Sequence, residues 1–145
     1  MRVIAGTRRS MPLKAPVGMD TRPTQDRTKE TLFNVLQNEI PGAEFLDLFA
    51  GSGAISIEAL SRGASYATLV ENNKNAVSCI KDNLKFTKFS DEATLMETDV
   101  MAALYKLGGH KEFDIVFMDP PYNLEIEAQV LKTMNLSLIH ISEPT

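Results

Sequence analysis

Short apolar segments with strand character alternate with segments of helical periodicity along most of this chain. The predicted strands cover residues 45–49, 66–70, 93–97 and 113–118, and the predicted helices cover residues 24–40, 54–62, 74–86 and 100–107. Strands that alternate with helices form a parallel sheet with helices on both faces. The pattern therefore predicts an α/β fold with a doubly wound, mainly parallel sheet. In such folds, ligands bind outside the carboxyl ends of the strands.

The size and composition of the chain are those of one ordinary folded domain. It has 145 residues, of which 43% are hydrophobic and 23% are charged, and this excludes disordered, collagen-like and disulfide-scaffold proteins. It has one cysteine, no apolar signal segment after Met1, and no run near the roughly 20 apolar residues that a membrane helix needs. We therefore expect a cytoplasmic protein without a membrane partner, and we expect it to be a monomer.

Basic residues are concentrated near the amino terminus, although the net charge of the chain is -4. Residues 1–29 contain seven Lys and Arg but only two Asp. Such a segment can neutralise the phosphates of DNA or RNA, or it can simply be a solvated surface. Residues 3–5 have the pattern of a short strand, and prolines and a glycine mark turns after them. We expect residues 1–24, the N-terminal arm, to be an ordered strand or hairpin.

A small-residue turn follows the first predicted strand and leads into a helix. It comprises Ala50, Gly51, Ser52 and Gly53, whose small size lets a ligand approach the backbone and the helix N-terminus. Glu71 ends the second predicted strand, 20 positions after Gly51, where a carboxylate can accept hydrogen bonds from both ribose hydroxyls. A plain tight turn and a solvated glutamate are the structural alternative.

Two further residues indicate which ligand this turn binds. Ser56 occupies the third position of a dinucleotide fingerprint, where Gly or Ala normally packs the helix and seats a pyrophosphate. This departure disfavours NAD and, with it, a nicotinamide oxidoreductase. Asp47 lies just before the turn, and a carboxylate there suits a ligand that carries positive charge, such as one with an ammonium and a sulfonium group.

Acidic side chains also follow the third and fourth predicted strands. Asp99 can accept a hydrogen bond from an adenine amino group, or it can cap the next helix. After the fourth strand come Asp119, Pro120, Pro121 and Tyr122, in which the prolines fix the backbone so that the preceding carbonyls project as acceptors. Such a loop can hold a planar base against Tyr122 while Asp119 accepts a hydrogen bond from its exocyclic amine. A rigid loop without a ligand is the alternative.

Several motifs together resemble the RsmD family. They are the run LDLFAGSGAISIEALSRGA at residues 46–64, the VE pair at 70–71, DPPY at 119–122, and the N-terminal segments RVIAG and RPT. Members of this family are bacterial enzymes that use S-adenosylmethionine to methylate a guanine N2 amine of 16S ribosomal RNA. The resemblance covers residues 2–134, and it implies a Rossmann-like methyltransferase fold, this activity, and the small ribosomal subunit as partner.

The resemblance also implies roles for individual residues. The residues expected to bind S-adenosylmethionine are Asp47, Ala50, Gly51, Ser52, Gly53, Glu71, Asn72 and Asp99. Those expected to hold the guanine, as the catalytic loop, are Asp119, Pro120, Pro121 and Tyr122. The RNA-binding residues of the arm are expected to be Arg8, Arg9, Arg22 and Thr24, although Thr24 is equally explained as a helix cap. No metal is expected, because the histidines and the cysteine form no ligand cluster in the sequence.

The end of the chain departs from the family pattern. Residues 135–145 do not match the glycine-containing turn and strand expected there, which suggests a truncated or frame-shifted end. The chain then divides into the arm at 1–24, an incomplete methyltransferase domain at 25–134 and an atypical tail at 135–145. The expected consequences are missing C-terminal strands, an exposed edge at the fourth strand, and an unstable or inactive chain.

Two other functions stay open from the sequence alone. An N6-adenine or protein-glutamine methyltransferase uses the same kind of loop, but that loop often begins with Asn where this chain has Asp119. A non-catalytic domain that binds RNA or the cofactor would keep the basic arm and would need neither Asp119 nor Tyr122. Binding without turnover would distinguish this second alternative from an enzyme.

Overall fold

The computed structural model describes residues 1–16, 23–108, 112–118 and 140–141 of the chain. The helices are α1 (Pro23–Leu36), α2 (Ala54–Ser61), α3 (Lys74–Thr87) and α4 (Val100–Leu107), with a short 3-10 helix at Ser90–Glu92. The strands are β1 (Glu44–Leu48), β2 (Tyr66–Val70), β3 (Ala93–Met96), β4 (Glu112–Phe113), β5 (Ile115–Met118) and β6 (His140–Ile141). Among these residues, no helix combines the length and the apolar character needed to cross a bilayer.

Four strands form one parallel sheet in the order β3-β2-β1-β5. Leu48 of β1 is in register with Val70 of β2 and with Met118 of β5, and Val70 is in register with Met96 of β3. The carboxyl ends of all four strands therefore lie at one edge. The chain builds outward from β1 to β3 and then returns to place β5 on the other side of β1, which creates a topological switch point. The predicted α/β fold with a mainly parallel sheet is confirmed.

The sheet has a hydrophobic core on each face, because side chains alternate along a strand. Phe45 of β1 belongs to the core that also contains buried residues of α1, α2 and α3, whereas Leu46 and Leu48 belong to the core that contains α4. The N-terminal arm packs into the first of these cores through Val3 and Leu13. The part of the arm between Val3 and Leu13 therefore belongs to the folded body.

The boundaries of α1 differ from the sequence prediction. The helix begins at Pro23 and ends at Leu36, so the prediction of Thr24 as its N-cap is wrong, and so is the predicted end at residue 40. Proline is favoured at the first helical position because its fixed φ suits the helix and its missing N–H would be unbonded there anyway.

Two predicted strands are also corrected. The strand predicted over 113–118 is interrupted at Asp114, whose carboxylate accepts a 2.9 Å hydrogen bond from the N–H of Glu44. The strand predicted over 3–5 is wrong: within residues 1–16, the one β-pairing is an isolated antiparallel bridge between Arg2 and Pro12. The N–H groups that would extend this pairing bond instead to a carboxylate of α2.

Candidate cofactor site and N-terminal arm

Three loops with sequence-predicted site residues meet at the carboxyl edge of the sheet. Residues 49–53, which we call the glycine loop, follow β1, while Glu71 follows β2 directly and Asp99 comes shortly after β3. The strand register brings the starts of these loops side by side. Some predicted site residues lie outside the described residues. They are Arg22, the side chain of Thr24, and the four predicted catalytic residues Asp119, Pro120, Pro121 and Tyr122.

The glycine loop is packed at one end and open in its middle. Phe49, Gly51 and Gly53 have φ angles of 63°, 61° and 80°, all in the left-handed region. A Cβ atom at Gly53 would lie 3.3 Å from Cδ2 of Leu69, so this residue packs tightly on the core. A Cβ atom at Gly51 would have no atom of the described residues within 4 Å. A ligand can therefore approach the backbone at Gly51.

The other two residues of the loop fix its backbone. The N–H of Ala50 donates a 3.0 Å hydrogen bond to the carbonyl of Val70, which joins the loop to the end of β2. The Oγ of Ser52 accepts a 3.3 Å hydrogen bond from the N–H of Ala54, the first residue of α2. Ala50 therefore ties the loop to β2, and Ser52 ties it to the start of α2.

Glu71 connects two of the three loops. Its Oε1 accepts a 2.8 Å hydrogen bond from the N–H of Gly51, and its Oε2 accepts hydrogen bonds from the N–H groups of Asn72 and Asn73 at 3.1 and 3.0 Å. The side chain is half-buried and Asn72 is exposed. A carboxylate can accept about four hydrogen bonds, so Glu71 can hold the loop and still accept a hydrogen bond from a ligand hydroxyl.

Asp47 and Ser56 form a buried pair below the loop. The Oγ of Ser56 donates a 2.7 Å hydrogen bond to Oδ2 of Asp47, and the two residues are 0% and 1% exposed, respectively. Asp47 thereby joins β1 to the first turn of α2, directly beneath the glycine loop. This contact gives Ser56 a structural reason to depart from the dinucleotide fingerprint, because a Gly or Ala at this position could not donate the hydrogen bond.

Asp99 has the contact that its alternative interpretation predicts. It is the N-cap of α4, and its Oδ1 accepts a 2.8 Å hydrogen bond from the N–H of Ala102. The side chain is exposed at the carboxyl edge of the sheet. Capping uses Oδ1, so Oδ2 is left to accept a hydrogen bond from an adenine amino group. The two interpretations of Asp99, as a helix cap and as a ligand-binding residue, are therefore compatible.

A buried carboxylate on α2 anchors the N-terminal arm. Glu58 is 0% exposed, and its two oxygens accept hydrogen bonds of 2.9 and 3.1 Å from the N–H groups of Ile4 and Ala5. Its charge is balanced by two cations: Nε of Arg62 lies 2.8 Å from its Oε2, and Nζ of the buried Lys29 of α1 lies 3.4 Å from its Oε1. A buried carboxylate is costly unless it is paired and hydrogen-bonded, and here both conditions are met.

Arg8 and Arg9, both predicted to face RNA, have different environments. The Nε of Arg8 donates a 2.7 Å hydrogen bond to the carbonyl of Thr87 at the end of α3, and its guanidinium lies 4.5 Å from the ring centroid of Phe89. Arg8 is half-buried, whereas Arg9 is exposed. Arg8 therefore clamps the arm to α3, and Arg9 has its side chain in solvent.

Sequence analysis missed the residues that attach the arm, chiefly Glu58 and Asn83. A signal for Glu58 is present, because it is the one charged residue in the otherwise apolar and small sequence AISIEALS of α2. Asn83 lies in a polar stretch of α3 and gives no comparable signal. Among the residues that the structure describes, no group of three or more His, Cys, Asp and Glu side chains is arranged to hold a metal ion.

Comparison with known proteins identifies the relatives of this chain. A family model described as conserved hypothetical protein 95 matches residues 1–140. The ribosomal RNA small subunit methyltransferase D of Haemophilus influenzae is 38% identical over 135 residues, a match that covers 92% of this chain and 70% of that protein. The chain belongs to the RsmD family. Its matches span 60 to 70% of the length of the curated RsmD relatives from Haemophilus influenzae and Escherichia coli.

Solved structures agree with this RsmD assignment. A chain from Escherichia coli, described provisionally as a methyltransferase, matches with a TM-score of 0.85 and 36% identity, over 97% of this chain and 75% of that one. A methyltransferase from Agrobacterium tumefaciens that depends on S-adenosylmethionine shares the fold alone, with a TM-score of 0.64 and 22% identity, over 81% of this chain and 42% of that one. The fold is therefore the Rossmann-like fold of methyltransferases that use S-adenosylmethionine.

Proposed function

We propose that this chain methylates the exocyclic N2 amine of a guanine in the 16S rRNA of the small ribosomal subunit, with S-adenosylmethionine as methyl donor. Membership of the RsmD family is the observation that supports this most, because its relatives are named as small-subunit rRNA methyltransferases. The position of the glycine loop, Glu71 and Asp99 at one edge of a parallel sheet supports it independently, since ligands of such folds bind there.

The described residues fit S-adenosylmethionine. The open space at Gly51 accommodates a ligand against the backbone, and Glu71 offers a further acceptor for ribose hydroxyls. Asp99 offers an exposed carboxylate for the adenine amino group, with Asn72 exposed beside Glu71. Asp47 acts from below by fixing α2 through Ser56. When bound, S-adenosylmethionine supplies an electrophilic methyl group on a sulfonium.

The guanine is assigned to the residues that follow β5 in the sequence. β5 is in register with β1, the strand that leads into the glycine loop. The guanine amine is conjugated and weakly nucleophilic, so acceptors at Asp119 and at a carbonyl before Pro120 or Pro121 would localise its lone pair and take up developing positive charge. Tyr122 would stack on the base. Holding the amine close and in line is the main catalytic contribution that we assign to this loop.

RNA binding is assigned to the basic arm. Arg9 is exposed and can approach a phosphate, and Arg22 and Thr24 extend the same segment of sequence. Arg8 supports this surface by holding the arm on α3. Because lysine and arginine residues neutralise phosphates without reading the sequence, this arm would supply affinity, and the loop after β5 would select the amine.

The proposal is tested by methyl transfer from radiolabelled S-adenosylmethionine to small ribosomal subunits that lack the modification. Labelling of the small-subunit rRNA is expected, with no labelling of large subunits in a parallel reaction. Substitution of Asp119 by Ala should abolish transfer while S-adenosylhomocysteine still binds. Equal transfer by the Asp119→Ala variant would remove the role assigned to that residue, and label in large subunits would contradict the assigned substrate.

A further inference from the structure

The side chain of Asn83 connects two segments that are far apart in sequence. It lies on α3 and is 1% exposed. It forms hydrogen bonds with both backbone groups of the arm residue Lys14, the N–H and the carbonyl. Its Oδ1 accepts a 2.9 Å hydrogen bond from the N–H of Lys14, and its Nδ2 donates a 3.0 Å hydrogen bond to the carbonyl of Lys14. The same Nδ2 donates a 2.9 Å hydrogen bond to the carbonyl of Ser52 in the glycine loop.

These three hydrogen bonds make the arm and the loop depend on each other. A buried amide that loses its partners carries a desolvation cost, so Asn83 is best satisfied only when both segments are in place. If the arm leaves, both hydrogen bonds to Lys14 are lost, and the amide that holds Ser52 keeps only its bond to Ser52 and a 3.6 Å contact with Sγ of Cys79. The loop would then be held mainly by Glu71 at Gly51, by the hydrogen bond of Ala50 to Val70 and by contacts within the loop.

A second side chain fixes the same part of the arm. Cys79 lies one helical turn before Asn83, and its Sγ donates a 3.0 Å hydrogen bond to the carbonyl of Lys14. Burial and the nearby charge of Asp82 raise the pKa of the Cys79 thiol, which keeps it protonated and able to donate. The carbonyl of Lys14 therefore accepts hydrogen bonds from two neighbouring side chains of α3.

We infer that Asn83 is a positioning residue that couples docking of the N-terminal arm to the shape of the glycine loop. Arm docking and S-adenosylmethionine binding then strengthen each other; for the identity of the ligand this inference rests on the proposed function. Since the arm is also the segment assigned to RNA, a change in the arm on RNA binding reaches the glycine loop through Asn83, beside the longer 3.7 Å hydrogen bond that Oγ of Ser52 donates to Sδ of Met1. Couplings of this kind typically change affinity by about 5- to 150-fold.

The inference is tested by cutting the link from the arm side, with Lys14→Pro, which removes the N–H that bonds Oδ1 of Asn83. Its matched control is Lys14→Ala, which removes the exposed ion pair with Asp82 but keeps the backbone hydrogen bonds. Asn83→Leu cuts the link at its centre. Amide hydrogen exchange is measured at Gly53 and Ala54 of the loop region, and at strand amides of β1 and β2 as a reference for overall stability.

Lys14→Pro should speed exchange at Gly53 and Ala54 by about 5-fold or more while the strand amides keep their rates, and Lys14→Ala should leave all of these rates unchanged. Asn83→Leu should act as Lys14→Pro does. The affinity for S-adenosylhomocysteine, measured by calorimetry, should fall in Lys14→Pro and in Asn83→Leu and stay unchanged in Lys14→Ala.

Unchanged exchange at the loop amides in Lys14→Pro would overturn the inference, as would equal acceleration at the loop and at the strands, which would indicate a general loss of stability. The exchange measurement needs no ligand. If the unmodified chain does not bind S-adenosylhomocysteine, the proposed function fails at the cofactor, while the exchange rates still decide whether the arm and the loop are coupled.

Discussion

The N–H of Gly51 donates a 2.8 Å hydrogen bond to Oε1 of Glu71, and this bond joins the loops that follow β1 and β2. Glu71 is the residue that the sequence spacing assigned to a ligand. In the structure it also fixes the backbone against which that ligand would lie. One carboxylate therefore shapes the site and provides acceptors for it.

Glu71→Ala is expected to weaken S-adenosylhomocysteine binding by about 10- to 150-fold. The variant loses a charged acceptor for the ligand and the bond that holds Gly51, and a hydrogen bond to a charged group contributes about 1.5–3 kcal/mol. Calorimetric titration measures the change. The control is Glu92→Gln, which changes an exposed glutamate just before β3, at the opposite edge of the sheet. Equal affinity in Glu71→Ala and Glu92→Gln would refute the assignment.

The two glycines of the loop should respond differently to substitution by alanine. Gly53→Ala places a Cβ 3.3 Å from Leu69 at a φ of 80°, so it should lower the free energy of unfolding by about 2–4 kcal/mol. Gly51→Ala meets no atom of the described residues, so its cost is the left-handed backbone, about 1–2 kcal/mol, but its methyl group enters the space proposed for the ligand.

Urea unfolding and ligand titration together check this pair. Gly53→Ala should show the larger loss of stability, and Gly51→Ala should show the larger loss of S-adenosylhomocysteine affinity relative to its loss of stability. A ligand affinity that is unchanged in Gly51→Ala would mean that the open space beside this residue is not where the cofactor binds.

Glu58→Gln is expected to lower the free energy of unfolding by about 3–5 kcal/mol, because it leaves the buried ammonium of Lys29 without its full counter-charge. The matched control is Glu30→Gln on the same helix as Lys29, where the glutamate is exposed and the change should stay within about 0.5 kcal/mol. Urea unfolding measures both. If both variants were equally stable, the buried ion pairs would not anchor the arm as described.

Much of the fold follows from the sequence because the signals are local. The alternation of strand and helix patterns predicted the sheet, and the predicted bounds of α4 and β2 agree with the structure. The glycine loop and Glu71 were identified from spacing along the chain, and the structure joins them by a hydrogen bond. Strand-end residues of a parallel sheet share an edge, so their proximity follows from topology alone.

The attachment of the arm could not be predicted, because it depends on contacts over long sequence separations. Ile4 and Glu58 are 54 residues apart, and Lys14 and Asn83 are 69 residues apart. The strand predicted at residues 3–5 was wrong for the same reason: a carboxylate from α2 takes the N–H groups of Ile4 and Ala5. Counting charges along the sequence also cannot tell which basic residues face RNA. The guanidinium of Arg8 adds to the basic character of the arm, but it donates a hydrogen bond to the carbonyl of Thr87.

Arg9→Ala should weaken binding to small-subunit rRNA and lower the slope of log affinity against log salt by about 1, with little change in stability. The exposed guanidinium of Arg9 is the group proposed to meet a phosphate. Arg8→Ala should also lower the free energy of unfolding, because it removes the hydrogen bond to Thr87 and the contact with Phe89. Filter binding at several salt concentrations and urea unfolding separate the two effects. An unchanged salt slope in Arg9→Ala would exclude a phosphate contact there.

Identification of the methylated nucleoside tests the central claim most directly. Small ribosomal subunits that lack the modification are incubated with the chain and labelled S-adenosylmethionine, and the digested rRNA is analysed by mass spectrometry. The account predicts labelled N2-methylguanosine, present with the unmodified chain and absent with Asp119→Ala. Labelled N6-methyladenosine, label in protein glutamine, or binding of the cofactor and RNA with no transferred methyl group would contradict it.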